Sequence, residues 1–173
     1  MADKLKETKD AIGVQTTKDK LTGINDRDGR HYNCAESTVL IINDKHPLPG
    51  FGSDAMKIMS TTGGGVSLTG SACGAVVGIA TALGLAYGVD GTESQDEYAK
   101  KKMENFMLSR GIINEFKEKF GSVNCIDLTG LNFAVDEDLG KWGDVYAERE
   151  KLAVNCHTYI DWAAERVLKA LNS

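Results

Sequence analysis

From Ile58 to Val89 the chain carries no charged side chain. A stretch of that length either crosses a bilayer or is buried in a protein core. Gly63, Gly64 and Gly65 interrupt it, Ser67, Thr69 and Ser71 follow, and the more apolar part, Ala72 to Tyr87, is short for a span. A buried core helix preceded by a glycine-rich loop is therefore expected. Within it Gly74, Gly78 and Ala82 recur every fourth residue, and such a stripe of small side chains lets another backbone approach closely.

The remainder of the 173 residues suits one domain built around that helix. Hydrophobic residues make up 42% and charged residues 26%, ordinary values for a globular chain, so disorder is expected only at the ends. A formal net charge of −5 with no basic cluster excludes broad attraction to nucleic-acid phosphates or an anionic membrane. Met1 to Asp10 alternates Lys with Asp and Glu and lacks the apolar run of a secretory signal, which leads to the expectation of a cytoplasmic protein.

Periodicity predicts a mainly α fold, a compact helical bundle with the glycine-rich loop before its central helix. Short helices are expected over Cys34 to Asn43, stopping before His46-Pro47, and over Asp54 to Ser60. Ser71 to Ala86 is the central helix. Ser94 to Phe120 is the longest pattern, with Met103, Phe106, Met107, Ile113, Phe116 and Phe120 mostly three or four apart, and Gly121 ends it. Asp144 to Ala153 and Cys156 to Leu171 complete the set, the latter carrying the stripe Ile160, Ala163, Ala164, Val167, Leu168 and Leu171. No series of strands is expected. Residues 1–31 read as a polar N-terminal extension and 32–173 as a helical four-cysteine domain.

Cys34, Cys73, Cys125 and Cys156 each fall near the predicted start of a helical stretch, and three of them follow an asparagine, a good helix cap. Unpaired N–H groups and the positive end of the helix dipole stabilise a thiolate there, preparing it as a metal ligand or nucleophile. The simpler reading of any one of them is a small buried hydrophobe. Four at helix starts point instead to one shared redox site. Their intervals of 39, 52 and 31 residues match no compact zinc or C-x-x-C pattern.

The run Gly70-Ser71-Ala72-Cys73-Gly74-Ala75-Val76-Val77-Gly78, continuing through Ala82 to Gly88, resembles the glycine-rich signature around the second cysteine of the C_GCAxxG_C_C family of redox-active proteins. Asn33-Cys34-Ala35-Glu36, Phe120-Gly121-Ser122-Val123-Asn124-Cys125 and Asn155-Cys156 are similar to its other landmarks, in order, from about Tyr32 to Leu171. The resemblance implies a helical fold with four functional cysteines. A related domain accompanies the haem part of split-Soret cytochromes, which implies iron–sulfur binding and dimer formation. No Cys-x-x-Cys-His is present, so covalent c-type haem is not supported.

The leading expectation is an iron–sulfur cluster of unspecified type, held by Cys34, Cys73, Cys125 and Cys156 for electron transfer to a redox partner protein. Gly64, Gly65 and Gly74 are the expected cofactor-binding glycines, where backbone approaches the cysteine site. Two alternatives stay open: cysteine pairs cycling between thiol and disulfide without metal, and a structural zinc held by four thiolates. A homodimer is expected through the small-residue face of the Cys73 helix. His157 beside Cys156 reads as a cap or surface group, His31 and His46 as loop residues, and Asp136, Glu137 and Asp138 as a solvated loop. The three glycines lack the Gly-Lys-Ser/Thr ending of a P-loop. No catalytic group can be assigned.

Overall fold

Asn33 determines where the first helix begins. Its side-chain oxygen accepts from the N–H groups of Ala35 (2.9 Å) and Glu36 (3.1 Å), while the Glu36 carboxylate accepts from the Asn33 N–H at 2.8 Å. This reciprocal box satisfies donors that the first helical turn leaves open. Helix α1 (Cys34–Lys45) follows and stops at His46, whose extended backbone precedes Pro47. The structure, a computed structural model, describes residues 26–27, 30–140 and 156–173.

After α1 come α2 (Ser53–Met59), α3 (Gly74–Tyr87), α4 (Gln95–Phe120), α5 (Cys125–Thr129) and α6 (Cys156–Leu171). The fold is mainly α, as expected. The only sheet among the described residues is a ribbon of β1 (Asp26–Arg27) and β2 (Arg30–His31), paired antiparallel with Asp26 opposite His31. Apart from that ribbon, the proposed polar extension lies outside the described residues, as does the helix expected over Asp144 to Ala153.

Helices α1, α3 and α6 pack against one another, and α4 lies across α3 and α6. From Cys34 through Ile42, α1 is buried on every side, which places it at the centre. Close approach to α3 is what the small residues provide. A Cβ added at Gly74 would stand 2.7 Å from the Cys34 Cβ, and one at Gly78 would stand 2.6 Å from the Thr38 Cβ. The stripe expected to receive a second copy is therefore covered by α1 of the same chain, and it gives no ground for a dimer.

Helix α6 presents Ile160, Ala163, Ala164 and Val167, all fully buried, and each large apolar side chain so buried contributes roughly 1.5–3 kcal/mol. Against it α4 brings Phe116 and Phe120. These rings meet each other with centroids 4.7 Å apart, and they meet Tyr159 and Trp162 in tilted and edge-on contacts at 4.9 to 5.9 Å. Arg166 of α6 clamps Glu115 of α4 with paired hydrogen bonds of 2.5 and 2.7 Å. Ser94 caps α4 and Gly121, at φ 86, closes it.

The N-terminal half of α4 differs from its expected role. Met103, Phe106 and Met107 are grouped with Phe116 in one apolar series, yet they are 58%, 57% and 55% exposed, and the six-residue step from Met107 to Ile113 moves the series to another face. Core contact on α4 comes from Ser109, Ile112 and Phe116, on the opposite side of the helix. Among the described residues, no helix is long and apolar enough to cross a membrane.

Candidate functional site: a four-cysteine pocket

Each cysteine is placed by a separate piece of local chemistry. Cys34 is the first residue of α1, and the Asn33 amide anchors that end of the helix by donating to the carbonyls of Met59 (2.9 Å) and Ser60 (3.3 Å). Cys73 is the residue before α3, and Cys125 opens α5 behind Asn124. An isolated antiparallel bridge, Ala72 with Asn124, holds these two together. Across it the Cys73 N–H donates to the Val123 carbonyl at 2.7 Å, and the Cys125 N–H donates to the Ser71 carbonyl at 2.6 Å. Cys156 opens α6.

The four lie near enough to interact with one another in pairs. Cys34 hydrogen-bonds to Cys156, and Cys73 and Cys125 both lie close enough to Cys34 to feel its charge. Cys34, Cys73 and Cys125 are buried, whereas Cys156 is partly exposed, and all four are free thiols. Gly74 is where α3 passes over Cys34.

The expected low-pKa thiolates are not what this pocket makes. The hydrogen bond to Cys156 and then burial push the Cys34 thiol well up. Burial, with repulsion from Cys34, pushes Cys73 up as well, although the N–H groups of Ala75 and Val76 in the first turn of α3 act the other way. Cys125 is pushed up to about 11 by burial and by Cys34, with the Thr129 hydroxyl opposing. The helix-start donors are present, but removal from water and mutual repulsion outweigh them.

Tyr159 is a member of the site that sequence reasoning missed. Its hydroxyl donates to the Leu128 carbonyl at 3.1 Å, and its pKa is raised by burial and by the nearness of Cys156, Cys73 and Cys125. The signal was available, because a residue three after Cys156 shares its helix face. His46 caps the end of α1 instead, and Asp136, Glu137 and Asp138, expected in a loop, are helical, with Asp138 accepting from the Asn132 N–H at 3.0 Å.

The glycine-rich loop borders this pocket in an unusual conformation. Gly64, Gly65, Val66, Ser67 and Leu68 all have positive φ, from 52 to 75°. For Val66, Ser67 and Leu68 the left-handed region costs roughly 1–2 kcal/mol each. Contacts hold the turn in place: a Cβ at Gly65 would stand 2.8 Å from the Cys125 Cβ and 2.5 Å from the Ser71 nitrogen, and one at Gly64 would strike Leu68. Backbone does approach the cysteines here, at Gly65.

Among the described residues, no three His, Cys, Asp or Glu side chains are placed to hold a single metal ion. Residues 32–170 match the family described as putative redox-active protein (C_GCAxxG_C_C). The chain belongs to that family. The C_GCAxxG_C_C match covers all four cysteines and the helices α1, α3, α5 and α6 at whose starts they lie, α6 as far as residue 170. No curated protein and no solved structure matches the chain.

Proposed function

We propose that the pocket of Cys34, Cys73, Cys125 and Cys156 holds an iron–sulfur cluster and passes electrons to a redox partner protein. The observation that carries this reading is that four thiols from four helix starts interact in pairs through Cys34, three of them buried. Three of them are disfavoured as free thiolates by that burial, so a cationic iron centre offsets a charge that the pocket otherwise penalises. The donor set is all sulfur, which fits such a cluster. Each thiolate can bind its own iron atom, so the four need not share one ion's coordination sphere, whereas a structural zinc would require that they do.

When bound, the cluster supplies one-electron exchange without large rearrangement. The chain's own residues then set its surroundings. Cys34, Cys73 and Cys125 keep water out, and the first-turn N–H groups of Ala75 and Val76 point toward Cys73 sulfur. Cys156, the partly exposed member, faces the solvent side from which a partner approaches. Anaerobic purification or reconstitution, followed by iron and sulfide analysis and absorption spectroscopy, tests the reading. Iron and sulfide with charge-transfer absorption are expected, and a colourless protein lacking both after reconstitution overturns it.

A second reading is favoured by one specific contact. The Cys34 and Cys156 thiols are partners in the interaction that raises the Cys34 pKa, which suits a buried and an accessible cysteine that cycle between dithiol and disulfide. Counting thiols before and after mild oxidation of the anaerobically isolated protein, beside its iron and sulfide content, separates the two readings: a cluster-loaded protein keeps its thiols, whereas a metal-free dithiol loses a pair.

A further inference from the structure

The left-handed turn beside Cys125 leaves polar groups that nothing in the fold uses. Gly63, Gly64 and Gly65 are all buried. Later N–H groups of the loop are satisfied: Leu68 donates to Gly63, Gly70 to Gly64 and Ser71 to Gly65. The N–H groups of Gly64 and Gly65 have no acceptor among the described residues. Buried backbone donors are nearly always paired, with protein, water or ligand.

Two further observations tie these donors to the pocket. The Gly65 backbone rests on the Cys125 side chain, with no room for a Cβ between them. Three side-chain-bearing residues, Val66, Ser67 and Leu68, are also held at positive φ to complete the turn. The first N–H groups of such a left-handed turn are left open and point the same way, an arrangement that attracts an anion. A fold that retains this strained geometry over buried, open donors is built around something that accepts from them.

We propose that Gly64 and Gly65 form a socket for anionic sulfur, their N–H groups donating to the sulfur of the centre bound at Cys125. The inference rests on the cysteine pocket being the redox site, and it assigns the turn a specific task there. Hydrogen bonds from N–H to cluster sulfur stabilise the more negative, reduced state and raise its potential. The two glycines thus act as positioning and tuning residues. They need not be ligands.

The experiment uses the whole chain labelled with ¹⁵N-glycine, reduced and metal-free, titrated with sodium hydrosulfide and followed by amide NMR. Saturable downfield shifts of Gly64 and Gly65 are expected, while Gly121 and Gly130, left-handed glycines at helix ends, stay still. Amides of Gly64 and Gly65 that do not move overturn the socket, whatever the protein's iron content. A saturable shift in a protein that never takes up iron and sulfide upholds the socket and overturns the cluster reading. The second readout is the potential of Gly65→Ala, whose added Cβ pushes the turn off Cys125. At full iron and sulfide content it is expected to be about tenfold harder to reduce, about 59 mV for one electron. An unchanged potential at full occupancy overturns the proposal, and the wild-type titration decides it if the variant does not fold.

Discussion

The Cys34 and Cys156 thiols interact, and this pairing is the largest cause of the raised Cys34 pKa, joining the first residue of α1 to the first residue of α6. That pairing links a buried thiol to a partly exposed one. An oxidant reaching Cys156 therefore finds a second sulfur directly behind it.

In the metal-free protein, diamide is expected to accept two electrons and two protons from this pair and leave a Cys34–Cys156 disulfide, with Cys73 and Cys125 still reduced. Thiol counting with peptide mapping checks the assignment. A Cys73–Cys125 link in its place, or four unreacted thiols, would show that thiol reactivity in this pocket does not follow exposure and contact. Protein loaded with iron and sulfide is expected to resist the same treatment.

Replacing Asn33 with Ala removes both the cap of α1 and the two bonds to the end of α2. Loss of a cap alone costs about 1 kcal/mol, and the freed carbonyls of Met59 and Ser60 add to it. Urea unfolding is expected to show a destabilisation of about 2 kcal/mol. The same variant should bind iron less tightly, since Asn33 holds the helix end that carries Cys34.

Two glycines give opposite results for the same change. Gly74→Ala places a Cβ 2.7 Å from the Cys34 Cβ and 2.9 Å from the Ala35 nitrogen, and overpacking of this kind costs about 1–3 kcal/mol. Gly111→Ala lies inside α4 with nothing within 4 Å, so better helix propensity should stabilise the protein by up to about 1 kcal/mol. Thermal melts of the pair check both signs. A stabilising Gly74→Ala would show that α1 and α3 are not in close contact.

The clamp of Arg166 on Glu115 holds that carboxyl below its usual pKa. Its contribution to stability is therefore present above the unfolded value, near 4.3, and is lost as the pH falls through the lower folded value. Glu115 is 44% exposed, so solvent screening limits the effect to about 0.5–1 kcal/mol. Glu115→Gln is expected to be less stable than wild type by that amount at pH 7 and to converge with it toward pH 3. Denaturant curves across that range decide it, and a constant difference at every pH would remove the ion pair as the cause.

Local order was legible in the chain because it rests on short-range chemistry. The Asn33 and Glu36 capping box, Ser94 and Gly121 at the two ends of α4, and the stripe from Ile160 to Leu171 each act over a turn or two of helix. They determined the helices, the helix-start positions of the cysteines and the family pattern. Tertiary structure alone decided the rest. Intervals of 39, 52 and 31 residues carry no distance, and it is the Ala72–Asn124 bridge and the packing of α1 on α3 and α6 that bring the sulfurs together. The direction of the thiol pKa shifts was likewise hidden, because helix-start donors are local whereas exclusion of water is a property of the whole fold. Helix geometry by itself sets Met103 and Phe116, 13 residues apart, on different sides of α4, but only the neighbouring helices decide that the Phe116 side is covered and the Met103 side is left open.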